Sequence, residues 1–156
     1  MSHPTELHEQ ILAEEAELRL ATFTRHHAWE LGCLLREAAL ARSLPVAIGI
    51  VLGERRVFHT ALDGSSADND EWLARKMAVV RRYGRSSLGV GEQFRVGGKD
   101  FDTDSHLDTA RVAAHGGAFP LALTGGELVG GVGVSGLPQR EDHALVVEQL
   151  RVYLGR

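Results

Sequence analysis

The sequence has a single cysteine, Cys33, among its 156 residues. A lone thiol cannot form an internal disulfide, so nothing in the chain favours an oxidising compartment. An apolar run of the roughly 20 residues needed to span a bilayer is also missing. The first 15 residues contain four glutamates and no basic segment ahead of an apolar run, which argues against a signal peptide. These absences predict a cytoplasmic protein with no membrane partner.

The sequence also lacks the motifs of common metal and nucleotide sites. It has no His-x-x-x-His, Glu-x-x-His or cysteine cluster, so a structural zinc site is not expected. There is no P-loop. The glycines of 130–136 alternate with valines inside an apparent strand, which favours close packing against a helix or another subunit over a dinucleotide-binding loop. The string 133–137 lacks the final glycine of a serine hydrolase elbow.

The composition is that of one globular domain. Hydrophobic residues make up 44% and charged residues 24% of the chain. The formal net charge of −4 does not attract polyanions, so no nucleic-acid partner is expected. We predict a single domain over residues 1–156, with residues 1–14 as a loosely attached N-terminal segment.

The apolar patterning predicts helices that alternate with two hairpins. The helices are expected at residues 5–20, 23–42, 70–83, 86–94 and 139–154. The strands are expected at 46–52, 57–60, 118–123 and 128–135. A polar loop should cover 97–106, and one or two helical turns should follow at 109–114. Antiparallel hairpins with helices packed on them define the α+β class.

Two regions of the predicted helices could bind a ligand. Arg75 and Arg82 lie seven positions apart and so share a helix face, with Trp72 beside Arg75. This face is either an anion-binding pocket lined by the indole ring or a solvated cationic surface. At the start of the last helix, either Asp142 or His143 contacts a ligand near the turn 135–137, or the two residues serve only to begin the helix.

His115 precedes two glycines and a predicted strand in the string His-Gly-Gly-Ala-Phe-Pro, residues 115–120. Glycines at such a position permit close backbone approach to a ligand or a tight entry into the strand. His115 is therefore a candidate metal or haem ligand or an acid/base group, and the alternative is a turn histidine bonded to the backbone.

Five short motifs follow one another along the chain, and taken in this order they resemble a known family. They are Asn69-x-x-Trp72-x-x-Arg75-Lys76, Ser86-Ser87, the string 115–120, Val-Ser-Gly-Leu-Pro-Gln at 134–139, and Asp142-His143. The chain resembles an uncharacterised branch of the GlcG/HbpS-like family, whose members are often labelled haem-degrading domain proteins. The resemblance runs from about residue 15 to the C-terminus.

The resemblance implies a profilin-like fold, with an antiparallel sheet of about five strands and packed helices. It also implies homo-oligomers with pockets near subunit contacts, and non-covalent binding of haem or iron in some relatives. The residues that match the motifs are the candidate ligand-binding set. They are Asn69, Trp72, Arg75, Lys76, Ser87, His115, Gly117, Asp142 and His143.

The sequence is compatible with three hypotheses for the function. The first is a homo-oligomeric small-ligand-binding protein, with haem or iron as ligand and a redox-linked role. In it Trp72 forms a wall, Arg75 and Lys76 hold a carboxylate, and His115 or His143 ligates. The second is an enzyme acting on a small acidic metabolite, with His115 or His143 as acid/base. The third is a protein-interaction scaffold.

Overall fold

The structure, a computed structural model, describes residues 5–156. Six helices and four strands follow one another along this part of the chain. They are α1 (Glu6–Glu17), α2 (Arg25–Ala41), β1 (Ala47–Leu52), β2 (Arg55–Ala61), α3 (Ala67–Tyr83), α4 (Ser87–Val96), α5 (Phe101–Asp104), β3 (Ala118–Ala122), β4 (Leu128–Ser135) and α6 (Gln139–Leu154). Between residues 5 and 156, no helix is both long and apolar enough to cross a bilayer.

The four strands form one antiparallel sheet in the order β2-β1-β4-β3. The two predicted hairpins are therefore confirmed, and they join through β1 and β4. The expected count of about five strands was slightly too high. Beyond the four strands there is an isolated parallel bridge between Leu20 and Leu123. The α+β class is confirmed.

The sheet has a helix layer on each face, and the alternation of β4 shows why its sequence is rich in glycine. Val132 and Val134 are buried in the main core, which α2 and α6 complete. Gly131 and Gly133 point to the opposite face, which α3 covers. A Cβ on Gly133 would lie 2.6 Å from Cδ1 of Leu73, and one on Gly131 would overlap Met77. Glycine at these positions lets α3 lie close to the sheet, as the alternation of the segment predicts.

The region between α4 and β3 differs from the sequence-based expectation. The predicted loop 97–106 contains α5, a single helical turn that Asp100 begins by accepting a hydrogen bond from the Thr103 amide at 3.1 Å. Phe101 is buried and meets the ring of Phe94 edge-on. At 109–114 the structure has one hydrogen-bonded turn, in which the amides of Arg111 and Val112 donate to the Asp108 carbonyl oxygen at 2.9 and 3.1 Å, and no further helical turn follows.

Helix α1 is packed on the domain, although residues 1–14 were expected to form a loosely attached segment. Ile11 is fully buried and Glu14 nearly so. Glu15 accepts hydrogen bonds from the Arg85 guanidinium at 2.9 Å and from the Ser86 hydroxyl at 2.7 Å. Helix α1 is therefore held on the domain by both apolar and charged contacts. Residues 1–4 lie outside the described residues.

The turn that leads from β4 to α6 depends on a glycine. Gly136 has φ +146°, and a Cβ on it would overlap the backbone carbonyl oxygen of Pro45. We expect Gly136→Ala to lower the free energy of unfolding by more than about 2 kcal/mol, because backbone strain and a backbone clash coincide. Urea denaturation of the two proteins measures this loss.

The matched control is Gly84→Ala, since Gly84 has φ +67° at the end of α3 and open space around it. Only the strain of the left-handed conformation applies there, so a loss of about 1 kcal/mol is expected. Equal losses in the two variants would show that the contact with Pro45 does not restrict position 136.

Candidate functional site

A pocket of about 250 Å³ opens where the first three turns of α3 meet the turn after β4 and the start of α6. Asn69, Trp72 and Lys76 face it together, because positions three to four apart lie on one side of a helix. We call it the α3–α6 pocket. Its lining consists of Asp68, Asn69, Trp72, Lys76, His115, Ser135, Gly136, Leu137, Gln139 and Asp142.

An ion pair between Lys76 and Asp142 forms the floor of the pocket. The Lys76 ammonium nitrogen lies 3.1 Å from Oδ2 of Asp142, and the side chains are only 4% and 1% exposed. Lys76 also donates to the Val134 carbonyl oxygen at 3.4 Å. The pair therefore joins α3, the end of β4 and α6 at one point. Burial lowers the pKa of Lys76 and raises that of Asp142, and each effect is opposed by the charge of the partner.

Asp142 also holds the turn that forms one wall of the pocket. Its carboxylate accepts hydrogen bonds from the amides of Leu137 at 3.0 Å and Gly136 at 3.3 Å. Asp142 lies in the first turn of α6, where a negative charge is favoured. The side chain thus combines the two roles that the sequence left open, since it supports the start of the helix and also lines a pocket.

His115 lies at the mouth of the pocket beside Trp72. The two ring centroids are 5.1 Å apart, and His115 is exposed. A second cavity of about 240 Å³ adjoins on the other side and shares His115 and Gln139 with the first. The amide of Gly116 donates to Oε1 of Gln139 at 2.9 Å, which ties the histidine turn to α6. Gly117, with φ +140°, completes the turn. His115 is therefore placed between two open cavities.

Arg75 does not share the pocket with Lys76, contrary to the expectation that both hold one carboxylate. Consecutive helix residues point about 100° apart. The guanidinium carbon of Arg75 lies 4.3 Å from the ring centroid of Trp72, and Arg75 lines a separate, wide groove of about 830 Å³ together with Arg82 and Arg111. Its Nε is buried and has no hydrogen-bond partner among the described residues. The shared face of Arg75 and Arg82 is thus cationic and open.

His143 also points away from the pocket, towards α1. Its Nε2 lies 2.8 Å from Oε1 of Glu14, with both side chains buried, and its ring packs against Phe119. Asp142 lies beside the turn 135–137, whereas the neighbouring His143 is rotated by about 100° and points away from it. His143 attaches α1 to α6.

Two other candidates have contacts within the fold. Ser87 is buried, and its hydroxyl accepts a hydrogen bond from the Ala118 amide at 3.1 Å and donates to the Ala118 carbonyl oxygen at 3.3 Å, which fastens α4 to β3. Asn69 accepts from the Ser66 amide at 2.8 Å at the start of α3, although its side chain also lines the pocket. Ser87 thus does not line the pocket, whereas Asn69 does.

The structure also assigns roles to residues that were not among the candidates. Gln139 lines both cavities, and Glu14 pairs with His143. Gln139 belongs to the motif at 134–139 and could have been found through it, whereas nothing near Glu14 in the sequence marks it. No group of three or more histidine, cysteine, aspartate or glutamate side chains with metal-binding geometry occurs in the described chain.

The fold and the site together define the class of protein. It is an α+β domain with an open, mostly polar pocket at one end of a four-stranded antiparallel sheet that helices cover on both sides. The chain belongs to the HbpS-like family, described as haem degrading protein HbpS-like, whose match covers residues 23–151. The family resemblance that the sequence motifs indicated is confirmed.

Relatives of known sequence match over nearly the whole chain. A UPF0303 protein of Streptomyces avermitilis is 51% identical over 147 residues, which are 94% of this chain and 90% of the relative. A UPF0303 protein of Streptomyces coelicolor is 52% identical over 144 residues, 91% of each chain.

Solved structures show the same fold. The Ybr137w protein has a TM-score of 0.87 and 32% identity, with 95% of this chain and 88% of the other covered. The structure titled PduOC:Heme complex has a TM-score of 0.70 and 19% identity, with 85% and 94% covered. HbpS has a TM-score of 0.66 and 17% identity, with 88% and 94% covered. At these lower identities the likeness is one of fold alone.

The buried ion pair generates a prediction on stability. Lys76→Met leaves the Asp142 carboxylate buried without its partner, so we expect a loss of about 3–5 kcal/mol in the free energy of unfolding. The double variant Lys76→Met/Asp142→Asn removes both charges and keeps an acceptor for the two amides of the turn, so it should be more stable than the single variant. Urea denaturation measures all three proteins.

The control is Arg42→Met, which removes the exposed ion pair with Glu148, whose side chains are 50% and 45% exposed. That pair should contribute less than about 1 kcal/mol. A loss of unfolding free energy in Lys76→Met no larger than that in Arg42→Met would contradict a stabilising role for the buried pair.

The pair between Glu14 and His143 generates a prediction on pH dependence. Burial alone would raise the pKa of Glu14, but the hydrogen bond and charge of His143, with help from Gln10 and Arg151, bring it below the ordinary value of 4.5. Because the folded pKa is the lower one, the unfolded chain binds the proton more tightly. The stabilising contribution is therefore present above pH 4.5 and is lost as the pH falls through the folded pKa.

We expect Glu14→Gln to cost about 1.5–3 kcal/mol at pH 7, and the difference from wild type to shrink below pH 4.5. Urea denaturation at a series of pH values measures it. Glu37→Gln, at an exposed position of α2, should show no such trend. A difference between Glu14→Gln and wild type that stayed constant down to pH 3 would contradict the assignment.

Proposed function

We propose that the protein is a homo-oligomeric small-ligand-binding protein that binds haem non-covalently at the mouth of the α3–α6 pocket. The observation that carries the proposal is the exposed imidazole of His115 beside the Trp72 ring, between two open cavities. The family description supports haem as the ligand, and so does a haem complex of similar fold.

The residues present fit the requirements of a non-covalent haem site. Such a site needs an axial ligand, a ring surface and cations for the propionates. His115 makes no hydrogen bond through its ring to the part of the chain described, so a ring nitrogen is free to ligate iron. Trp72 offers its ring face, and Arg75 places a guanidinium beside that indole. Lys76 is unsuited to a propionate, because it already pairs with Asp142.

Each of these residues would have a distinct task with haem bound. His115 would hold the iron, Trp72 would pack on the macrocycle, and Arg75 would pair with a propionate. The haem itself would supply one-electron chemistry, which is the basis of the redox-linked role that we propose. The hydrogen bond between Gly116 and Gln139 would fix the backbone of the histidine turn.

The homo-oligomer is supported by exposed apolar side chains on α2. Trp29 is 61% exposed, and Leu40, eleven positions further along the same helix, is 47% exposed. An offset of eleven residues places both on one side of a helix. This side of α2 therefore offers two large apolar side chains for contact with a second chain.

The two other hypotheses fare differently. For the enzyme hypothesis, His115 remains accessible as an acid/base group, whereas His143 does not, because it is buried against Glu14. A scaffold would have the matched residues in buried contacts between subunits, with no open pocket. The α3–α6 pocket is open and is lined by Trp72, which argues against a scaffold, although Arg75 lies outside it.

A haemin titration followed through the Soret band tests the proposal. Wild type should give a saturable, shifted band. His115→Ala should lose it because the ligand is removed, and Trp72→Ala and Arg75→Ala should weaken binding several-fold. The control His26→Ala changes a histidine of α2 whose side chain is 79% exposed and should behave as wild type.

A featureless spectrum, or a band insensitive to all three substitutions, would contradict haem binding at this site. Native mass spectrometry of the same samples tests the oligomer, and the mass of a single chain at all concentrations used would contradict it.

A further inference from the structure

The buried cation of the pocket is a lysine in a chain that otherwise uses arginine. The sequence contains fifteen arginines and only two lysines, Lys76 and Lys99. Among the described residues, Lys76 is the only one of these cations that is buried. An arginine would stay charged at every pH of interest, whereas a buried lysine can lose its proton and act as a nucleophile. The choice of lysine at this point therefore permits chemistry that arginine would exclude.

The amine nitrogen of Lys76 is held by two contacts and is left open on one side. It donates to Asp142 and to the Val134 carbonyl oxygen, and its third hydrogen has no acceptor in residues 5–156. A Cβ on Gly117 would lie 2.8 Å from this nitrogen and would also overlap the Val134 carbonyl oxygen. Glycine at 117 thus lets the histidine turn pack closely against the amine, and a larger residue there would displace the amine from its position. The nitrogen lies on the wall of a cavity of about 250 Å³, which is large enough for a small organic molecule.

The surroundings also make the neutral amine easier to form than in water and supply a group to move its proton. Burial lowers the pKa of Lys76, which raises the neutral fraction near pH 7, although Asp142 opposes this effect. Oδ2 of Asp142, at 3.1 Å, is within direct reach of the proton that the amine would release. The amides of Leu137 and Gly136 fix the carboxylate in that position.

We propose that Lys76 condenses with the carbonyl group of a small aldehyde or ketone in the α3–α6 pocket, with Asp142 as the proton-transfer group. The proposal deepens the small-ligand-binding function and rests on the same pocket, but it does not depend on haem.

The condensation balances without any oxidant or reductant. Asp142 first takes a proton from the Lys76 ammonium, which leaves a neutral amine and a neutral carboxyl group. The amine attacks the carbonyl carbon, so a C–N bond forms and the carbonyl oxygen becomes a hydroxyl by taking up the proton that the attacking nitrogen releases. The nitrogen lone pair then expels this hydroxyl as water, with the first proton returned to it by Asp142, so the C–O bond breaks and the protonated imine remains. The sum is protonated amine plus carbonyl compound giving protonated imine plus water, and Asp142 ends ionised as it began.

Reductive trapping with propanal and sodium cyanoborohydride tests the proposal on the whole chain. Peptide mapping by mass spectrometry then locates the reduced adduct. At pH 7 we expect the ratio of Lys76 adduct to Lys99 adduct to exceed one. The ratio should fall as the pH rises towards the ordinary lysine pKa of about 10.4, because the exposed Lys99 then also becomes neutral.

Two variants sharpen the assignment. Lys99→Arg leaves Lys76 as the only lysine, changes an exposed position, and should retain the full adduct. Lys76→Arg keeps the positive charge and should lose the adduct at this position. If adducts formed only on Lys99 and the N-terminal amine at every pH, the proposal would be overturned. Wild type and Lys99→Arg are enough to show this, so the test does not depend on the folding of Lys76→Arg.

The haemin titration of Lys99→Arg keeps the two proposals separate. Haemin binding without a Lys76 adduct would overturn the amine chemistry and leave the proposed function intact. A Lys76 adduct without haemin binding would support the amine chemistry and make a carbonyl compound, not haem, the ligand of the pocket.

Discussion

The arrangement of the pocket depends on one buried ion pair. Lys76 and Asp142 lie 66 positions apart in the chain, and their contact joins α3, which covers one face of the sheet, to α6, which covers the other. Taking two charges out of water is costly unless each finds close partners. Here the backbone supplies them, through the Val134 carbonyl oxygen for the amine and the amides of the turn after β4 for the carboxylate. The pair thus couples the helix layers and shapes the site at once.

The same helices separate residues that are neighbours in sequence. Arg75 and Lys76 are adjacent, yet one lies against Trp72 above an open groove and the other is buried in the pocket. Asp142 and His143 diverge in the same way, the first towards the pocket and the second towards α1. A rotation of about 100° per residue turns the adjacent side chains of these two pairs in different directions. In each pair one residue lines the pocket and its neighbour lies outside it.

The sequence predicts the architecture well because its signals are local. Periodicity and turn residues locate the helices and both hairpins, and the alternation of glycine and valine in β4 predicts the close approach of a helix. The single turn of α5 is too short and too polar for such a signal. The contacts of the site depend instead on pairings distant in sequence, such as Glu14 with His143, and no periodicity reports them. Ser87 is the opposite case, because the sequence motif draws attention to it but its hydroxyl serves to attach α4 to β3.

The placement of the two basic groups at different depths has a chemical consequence. His115 stands exposed at the mouth, where a ligand meets it first, and Lys76 lies at the floor, where only a small group can reach it. In the two proposals, a large planar ligand on Trp72 and His115 would cover the mouth, whereas a small carbonyl compound would pass beyond it. Because both ligands would need the same opening, each would exclude the other. The depth that a ligand reached would then decide which of the two proposed chemistries takes place.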